Sequence, residues 1–166
     1  MASKFKLEMR SEIAKGKRNW ESVIAINKRI ILIDKENPFA YYEIALAYEQ
    51  INNTEASLEY AKSAFEINPK YFFTIQLLTR LYSTLNDNKK TYEFAKLSLA
   101  NMPEEVSPPS KNIIKILRLF SMIPIMDKIH KQLSKERANW GNWRNEWVEW
   151  ATKYMIWYEN SKSSTS

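Results

Sequence analysis

The stretch NTEASLEYAKSAFEINP at residues 53–69 is followed 34 residues on by DNKKTYEFAKLSLANMP at 87–103, and preceded by the same interval by NWESVIAINKRIILIDK at 19–35. Laid over one another without a gap, the three open on Asn19, Asn53 and Asp87, short acceptors suited to capping the free N–H groups of a helix start. Tyr60 falls on Phe94, Ala61 on Ala95, Lys62 on Lys96, Phe65 on Leu99 and Pro69 on Pro103. Self-similarity at this spacing belongs to stacked helix-turn-helix units, none of which buries its apolar face alone. The expected fold is all-α, a right-handed helix-turn-helix repeat solenoid with a C-terminal capping helix.

The breakers keep the same register. Pro38, Pro69, Pro103, Pro108 and Pro109 fall between helix pairs, and Pro124 opens a helix. Helices are expected at 3–16 and 20–34, 38–51 and 54–67, 72–85 and 88–101, giving repeats over about 4–37, 38–71 and 72–105. Ile44, Ala47, Tyr48 and Ile51, and likewise Leu78, Leu81, Tyr82 and Leu85, have the i, i+3, i+4, i+7 spacing of a core stripe. One more step of the period lands on Ser121, which places a degenerate fourth unit over about 106–137, with helices at 110–120 and 122–137. The repeat domain is then 1–137, followed by a tryptophan-rich helix at 138–159 and a small polar tail at 160–166, expected to be disordered.

These units resemble the tetratricopeptide repeat. That signature has an aromatic and a Leu-small pair in the first helix, a second aromatic near its end, then small and aromatic marks and a closing proline in the second helix. Tyr41, Ile44-Ala45, Tyr48, Ser57, Ala61, Ala64 and Pro69 occupy those places in the middle unit, with the second-helix aromatic displaced to Tyr60. Ile75, Leu78-Thr79, Tyr82, Thr91, Ala95, Ser98 and Pro103 do so in the third. The first unit matches mainly in its second helix, with Ile30 where a small residue is usual.

Composition excludes several classes. The 166 residues contain no cysteine, so disulfides, zinc ribbons and thiol nucleophiles are out, and a reducing, cytoplasmic location is expected. Met1 to Arg10 lacks the apolar core of a secretory signal, and no run approaches the roughly 20 apolar residues of a membrane span. His130 is the lone histidine and stands among Lys128, Lys131 and Lys135, with no nucleophile for it to activate. Only Gly16 and Gly141 are present, so there is no phosphate-cradling loop, and no acidic cluster has metal-ligand spacing. Neither enzyme activity, metal nor cofactor is expected.

The resemblance implies that the first helices of successive units line a concave groove for a peptide or helix. Carried onto this chain, the groove presents Phe39, Tyr42, Leu46 and Glu49, then Phe73, Gln76, Arg80 and Thr84, with Glu8 and Glu12 at one end and Ile114 at the other. Chaperone-binding members place Lys, Asn and Arg there to clamp a terminal carboxylate, whereas this chain has Glu8, Glu12, Glu43 and Leu77. The resemblance therefore implies a non-catalytic adaptor or scaffold without a chaperone carboxylate clamp, binding an extended or helical segment with apolar anchors. The bland alternative is that Phe39 and Phe73 pack between units.

Charge supports a rival reading. The formal charge of +6 divides as +4 over 1–37, −1 over 38–103 and +3 over 104–166. Lys111, Lys115 and Arg118 share one helix face and Lys128, Lys131 and Lys135 another, a candidate surface for nucleic acid or another polyanion. Trp140, Trp143, Trp147, Trp150, Tyr154 and Trp157 alternate spacings of three and four, so a helix lines them in one stripe away from Asn145, Glu146, Glu149 and Lys153. Such a stripe caps the last repeat, serves as a second interface for a partner or another copy, or lies on a membrane surface. If it caps, removing 139–166 is expected to lower the melting temperature sharply and cause aggregation. A truncated chain that stays stable and monodisperse would assign the stripe to a partner instead.

Overall fold

The structure, a computed structural model, describes residues 3–103 and 123–163, with side chains described at 3–103 and 138–163. Its described part contains seven helices: α1 (Lys4–Gly16), α2 (Trp20–Ile33), α3 (Pro38–Gln50), α4 (Thr54–Ile67), α5 (Phe72–Thr84), α6 (Asn88–Ala100) and α7 (Ile123–Ser163). They divide into two compact units, Met1–Asn101 with α1 to α6 and Met102–Ser166 with α7. The first six helices begin and end within a residue of the expected bounds.

Each helix pair of the first unit turns through the same junction. Arg18, Asn52 and Asn86, one period apart, adopt φ of 55°, 60° and 56°, the left-handed region that ends a helix. The next residue's N–H then returns to a carbonyl five positions back: Asn19 to Ala14 at 3.0 Å, Asn53 to Tyr48 at 2.9 Å and Asp87 to Tyr82 at 3.0 Å. That same residue caps the following helix, as its side-chain oxygen accepts from Ser22 N at 3.0 Å, Ala56 N at 3.1 Å or Lys90 N at 3.1 Å. Two orphaned helix ends are thus satisfied by one short side chain and one left-handed residue.

Packing follows chain order, α1 on α2, α2 on α3, and so on to α6. Close approach is made possible by Ala45, Ala47, Ala61, Ala64 and Ala95, all fully buried. Ser57 Oγ donates to the Ala45 carbonyl across the α3–α4 contact at 2.8 Å. Ile44, Ile75, Leu77 and Leu78 are fully buried, each contributing roughly 1.5–3 kcal/mol of apolar transfer. The displaced aromatic Tyr60 stacks on Tyr48 with centroids 5.7 Å apart and approaches Tyr41 at 6.3 Å. Ile30, unusual for its place in the repeat, fills a pocket with Leu7 and Ala40.

Three expectations need correction. Ile51 and Leu85, read as the last members of core stripes, are 38% and 46% exposed, because each is the C-cap residue where the chain leaves its helix. The helices expected at 122–137 and 138–159 are one helix of 41 residues, with no breaker between them. It also runs through residues 160–163 of the expected disordered tail, where Ser161 Oγ donates to Tyr158 O at 2.7 Å and Ser163 Oγ to Asn160 O at 2.8 Å. The helix expected at 110–120 lies outside the described residues. Among the described residues, no helix is long and apolar enough to cross a membrane.

The junctions give a direct test. Asn53→Ala is expected to cost about 1 kcal/mol, the usual worth of a cap. Arg18→Gly is expected to add up to about 1 kcal/mol, since a side chain in the left-handed region is strained there. Chemical denaturation of the three proteins checks both signs.

Candidate functional site

The first helices of the three units, α1, α3 and α5, carry every groove residue named above except Ile114, which lies outside the described residues. Between α1 and α3 opens a cleft of about 490 Å³, floored by Asn27 and Ile30 of α2 and closed by the 34–37 connection. Glu8, Glu12, Asp34, Glu36 and Glu43 line it, with Phe39 at its edge. Asn37 sets that edge by capping α3, its Oδ1 accepting from Phe39 N at 3.2 Å and Ala40 N at 3.3 Å.

Two lysines bridge the cleft walls. Lys4 Nζ donates to Asp34 Oδ2 at 2.5 Å and lies 3.9 Å from Glu8. Lys15 Nζ donates to Glu12 Oε1 and Glu43 Oε1, both at 2.9 Å, tying α1 to α3. Burial pushes the Glu43 carboxyl above the usual carboxylate range against the pull of Lys15. Burial lowers Lys15, but Glu43 and Glu12 more than offset it, and the ammonium is held above its ordinary value.

Next along the face is a ridge of rings. Tyr71 is its hub, meeting Phe39 edge-on at 5.0 Å, Tyr42 at 5.6 Å and 90°, and Phe73 at 5.6 Å. Phe39 is 54% exposed, while Tyr42 packs into the core beside Ala45 and Leu77, and burial raises its phenol pKa. Beyond the ridge, Glu49 of α3 receives a two-pronged contact from Arg80 of α5, Nε to Oε1 at 3.0 Å and Nη2 to Oε2 at 2.7 Å. Arg80 Nη1 also donates to Gln76 Oε1. Leu46 is half-buried, and Thr84 turns its hydroxyl back to the Arg80 carbonyl at 3.0 Å.

Not all of the expected groove residues are free contact groups. Glu49, Gln76 and Arg80 are engaged with one another, and Leu77 is fully buried. Tyr71, Lys4, Lys15 and Asn27 were missed by the sequence reading. A tyrosine just before a helix carries no periodic signal, and Lys15 joins Glu43 across 28 residues.

In the second unit the aromatic stripe forms as expected. Successive centroids from Trp140 through Trp143, Trp147, Trp150 and Tyr154 to Trp157 lie 4.8, 6.1, 5.0, 5.5 and 5.3 Å apart. Its burial is uneven. Trp147 is buried along with Ala151 and Tyr158, whereas Trp150 and Trp157 are 37% and 51% exposed. Lys111, Lys115 and Arg118, and the side chains of Lys128, Lys131 and Lys135, lie outside the described part.

No protein-family model matches the chain, and no curated protein is significantly similar to it in sequence. Solved structures do match. The Sgt2 TPR domain from Aspergillus fumigatus aligns at TM-score 0.56 and 21% identity, covering 61% of this chain and 67% of its own. The first TPR of Spaghetti (RPAP3), bound to the HSP90 peptide SRMEEVD, aligns at 0.57 and 14% over 79% of this chain and 95% of its own. MamA aligns at 0.58 and 14% over 98% and 81%. The chain has the tetratricopeptide-repeat fold.

The unequal burial of the ridge separates structure from surface. Tyr42→Ala is expected to cost about 2 kcal/mol, below the cost of truncating a fully buried aromatic, because the ring is partly buried against the core. Phe39→Ala is expected to cost below about 1 kcal/mol because half of that ring already faces water. Thermal melts of the two variants check the difference.

Proposed function

We propose that this protein is a non-catalytic adaptor that holds an extended or helical segment of a partner protein against α1, α3 and α5, as a subunit of a larger complex in the cytoplasm. The observation that carries this reading is the ring ridge. Phe39 is left 54% exposed beside a cleft of about 490 Å³ and is held in place edge-on by Tyr71. An aromatic ring fixed at the rim of a cleft is what an interface hot spot needs, because little side-chain freedom remains to be lost on binding. Leu46 and Phe73 extend the apolar surface, and the Glu49–Arg80–Gln76 set gives a polar border.

The chemistry of the face argues against catalysis. It assembles carboxylates, ammoniums and rings, while the chain has no cysteine and its one histidine, His130, belongs to neither α1, α3 nor α5. The Spaghetti domain holds SRMEEVD, a peptide ending in three acidic residues among its last four. Such a tail would meet like charge here, since Glu8, Glu12 and Glu43 face the cleft. A chaperone tail is therefore not the proposed occupant.

The test is affinity capture by the intact chain against Phe39→Ala/Phe73→Ala. The double variant should keep the helical circular-dichroism signal and melting temperature close to wild type, and retain at least about tenfold less partner, as loss of an anchor predicts. Capture that is indifferent to the double variant would overturn the reading. Capture that disappears on nuclease treatment would replace it with a polyanion binder.

A further inference from the structure

We propose that the outer flank of α1, an apolar strip of Phe5, Met9 and Ile13 bordered by Lys6, Arg10 and Lys17, docks an amphipathic helix with an acidic border from a partner protein. This surface is separate from the groove face and goes beyond the reading above.

The repeat itself shows what covers such a flank. One period after Lys6, Met9, Arg10 and Ile13 stand Ala40, Glu43, Ile44 and Ala47, and two periods after them stand Thr74, Leu77, Leu78 and Leu81. In the later units these positions form the seam with the unit before. Ala40 clusters with Ile30 of α2, and Ile44 and Ala47 with Val23 and Ile24 of the same helix. Leu77, Leu78 and Leu81 cluster with Ala61 of α4, with Leu58 packed against them. All but Glu43 are buried. A helix therefore covers this register twice, α2 on α3 and α4 on α5.

In α1 the same register is open. Met9 and Ile13 are 52% and 56% exposed, their neighbour Phe5 is 69% exposed, and Lys6 and Arg10 are exposed as well. A terminal face that only meets water is polar in stacked arrays. Here three large apolar side chains follow one another at steps of four, which makes them neighbours along one line of the helix. The face keeps the apolar half of a seam, with no helix of the first unit upon it.

Charge selects the kind of helix. Lys6, Arg10 and Lys17 run along one edge of the strip, and among the described residues none of the three makes an ion pair. The acids of α1 are at the other edge, since Glu8 and Glu12 line the cleft, and each has a lysine of its own helix within reach, Lys4 or Lys15. Unpaired positive charge thus lies beside the exposed strip, and an acidic border on the incoming helix is its complement. A second copy of the chain would set the same three cations against these. An anionic membrane would meet Glu8 and Glu12 along with the cations, whereas a single helix can place its acids on one edge alone.

Stapled helices of about 15 residues, with a leucine strip bordered by either Glu or Lys and a fluorescein label, test this by anisotropy on the intact chain. The Glu-bordered helix should bind at least about tenfold more tightly than the Lys-bordered one, and the preference should vanish in about 1 M salt. Lys6→Glu/Arg10→Glu should reverse the preference, and Lys6→Gln/Arg10→Gln should abolish it if reversal disturbs the fold. Met9→Ser/Ile13→Ser should weaken both helices without lowering the melting temperature, because both side chains already face water. Phe39→Ala/Phe73→Ala should leave this binding unchanged, so the groove reading stands or falls separately. Equal binding of the two helices, indifference to the α1 variants, or loss of binding in the Phe39/Phe73 variant would overturn the proposal. So would a dimer that Met9→Ser/Ile13→Ser dissolves, which assigns the strip to a second copy, or adsorption to phosphatidylserine vesicles without binding of the Glu-bordered helix, which assigns it to a membrane.

Discussion

Everything in the first unit hangs on a turn of two residues. A left-handed residue at 18, 52 and 86 stops one helix, and the side chain of the next residue starts another. The three turns share their dihedral and their hydrogen bonds, so the pairs they join share one junction geometry. Small residues then let the helices approach, so that side chains of α1 and α3 meet through Lys15 and Glu43, and those of α3 and α5 through Glu49 and Arg80. A longer or looser connection would leave the same apolar stripes without a fixed direction, and the rim ring Phe39 would have no defined neighbour.

Arg80 with Glu49 and Lys15 with Glu43 tie one helix to the next, and they are partly buried with short distances, so they position more than they stabilise. The aromatic ridge divides its labour by depth. Tyr42 serves the core, Phe39 the surface, and Tyr71 holds the two together edge-on.

How much of this could be read in advance depended on the range of the interaction. Helix bounds and caps followed from the period because Asn19, Asn53 and Asp87 act within three residues of themselves. The acidic character of Glu8, Glu12 and Glu43 was visible by position, but not their meeting in one cleft. Tyr71, Lys15 and Asn27 act across turns or between helices and have no periodic mark. Ile51 and Leu85 failed for the opposite reason: the periodicity continues through them, but the helix stops there. Pro124 opens a helix as expected, but nothing after it in the sequence breaks that helix, and a boundary drawn by counting periods does not survive.

The stripe in α7 has an optical consequence. Five of the chain's six tryptophans belong to it, each within 4.8 to 6.1 Å of the next ring, and Trp20 is the sole indole of the first unit. At such separations indoles share excitation, so emission comes from whichever ring is lowest in energy rather than from each in proportion. Intrinsic fluorescence of this protein is therefore chiefly a signal from one helix of the second unit. Far-ultraviolet dichroism, by contrast, weighs all the helices, and the two spectroscopies look at different parts of the same molecule.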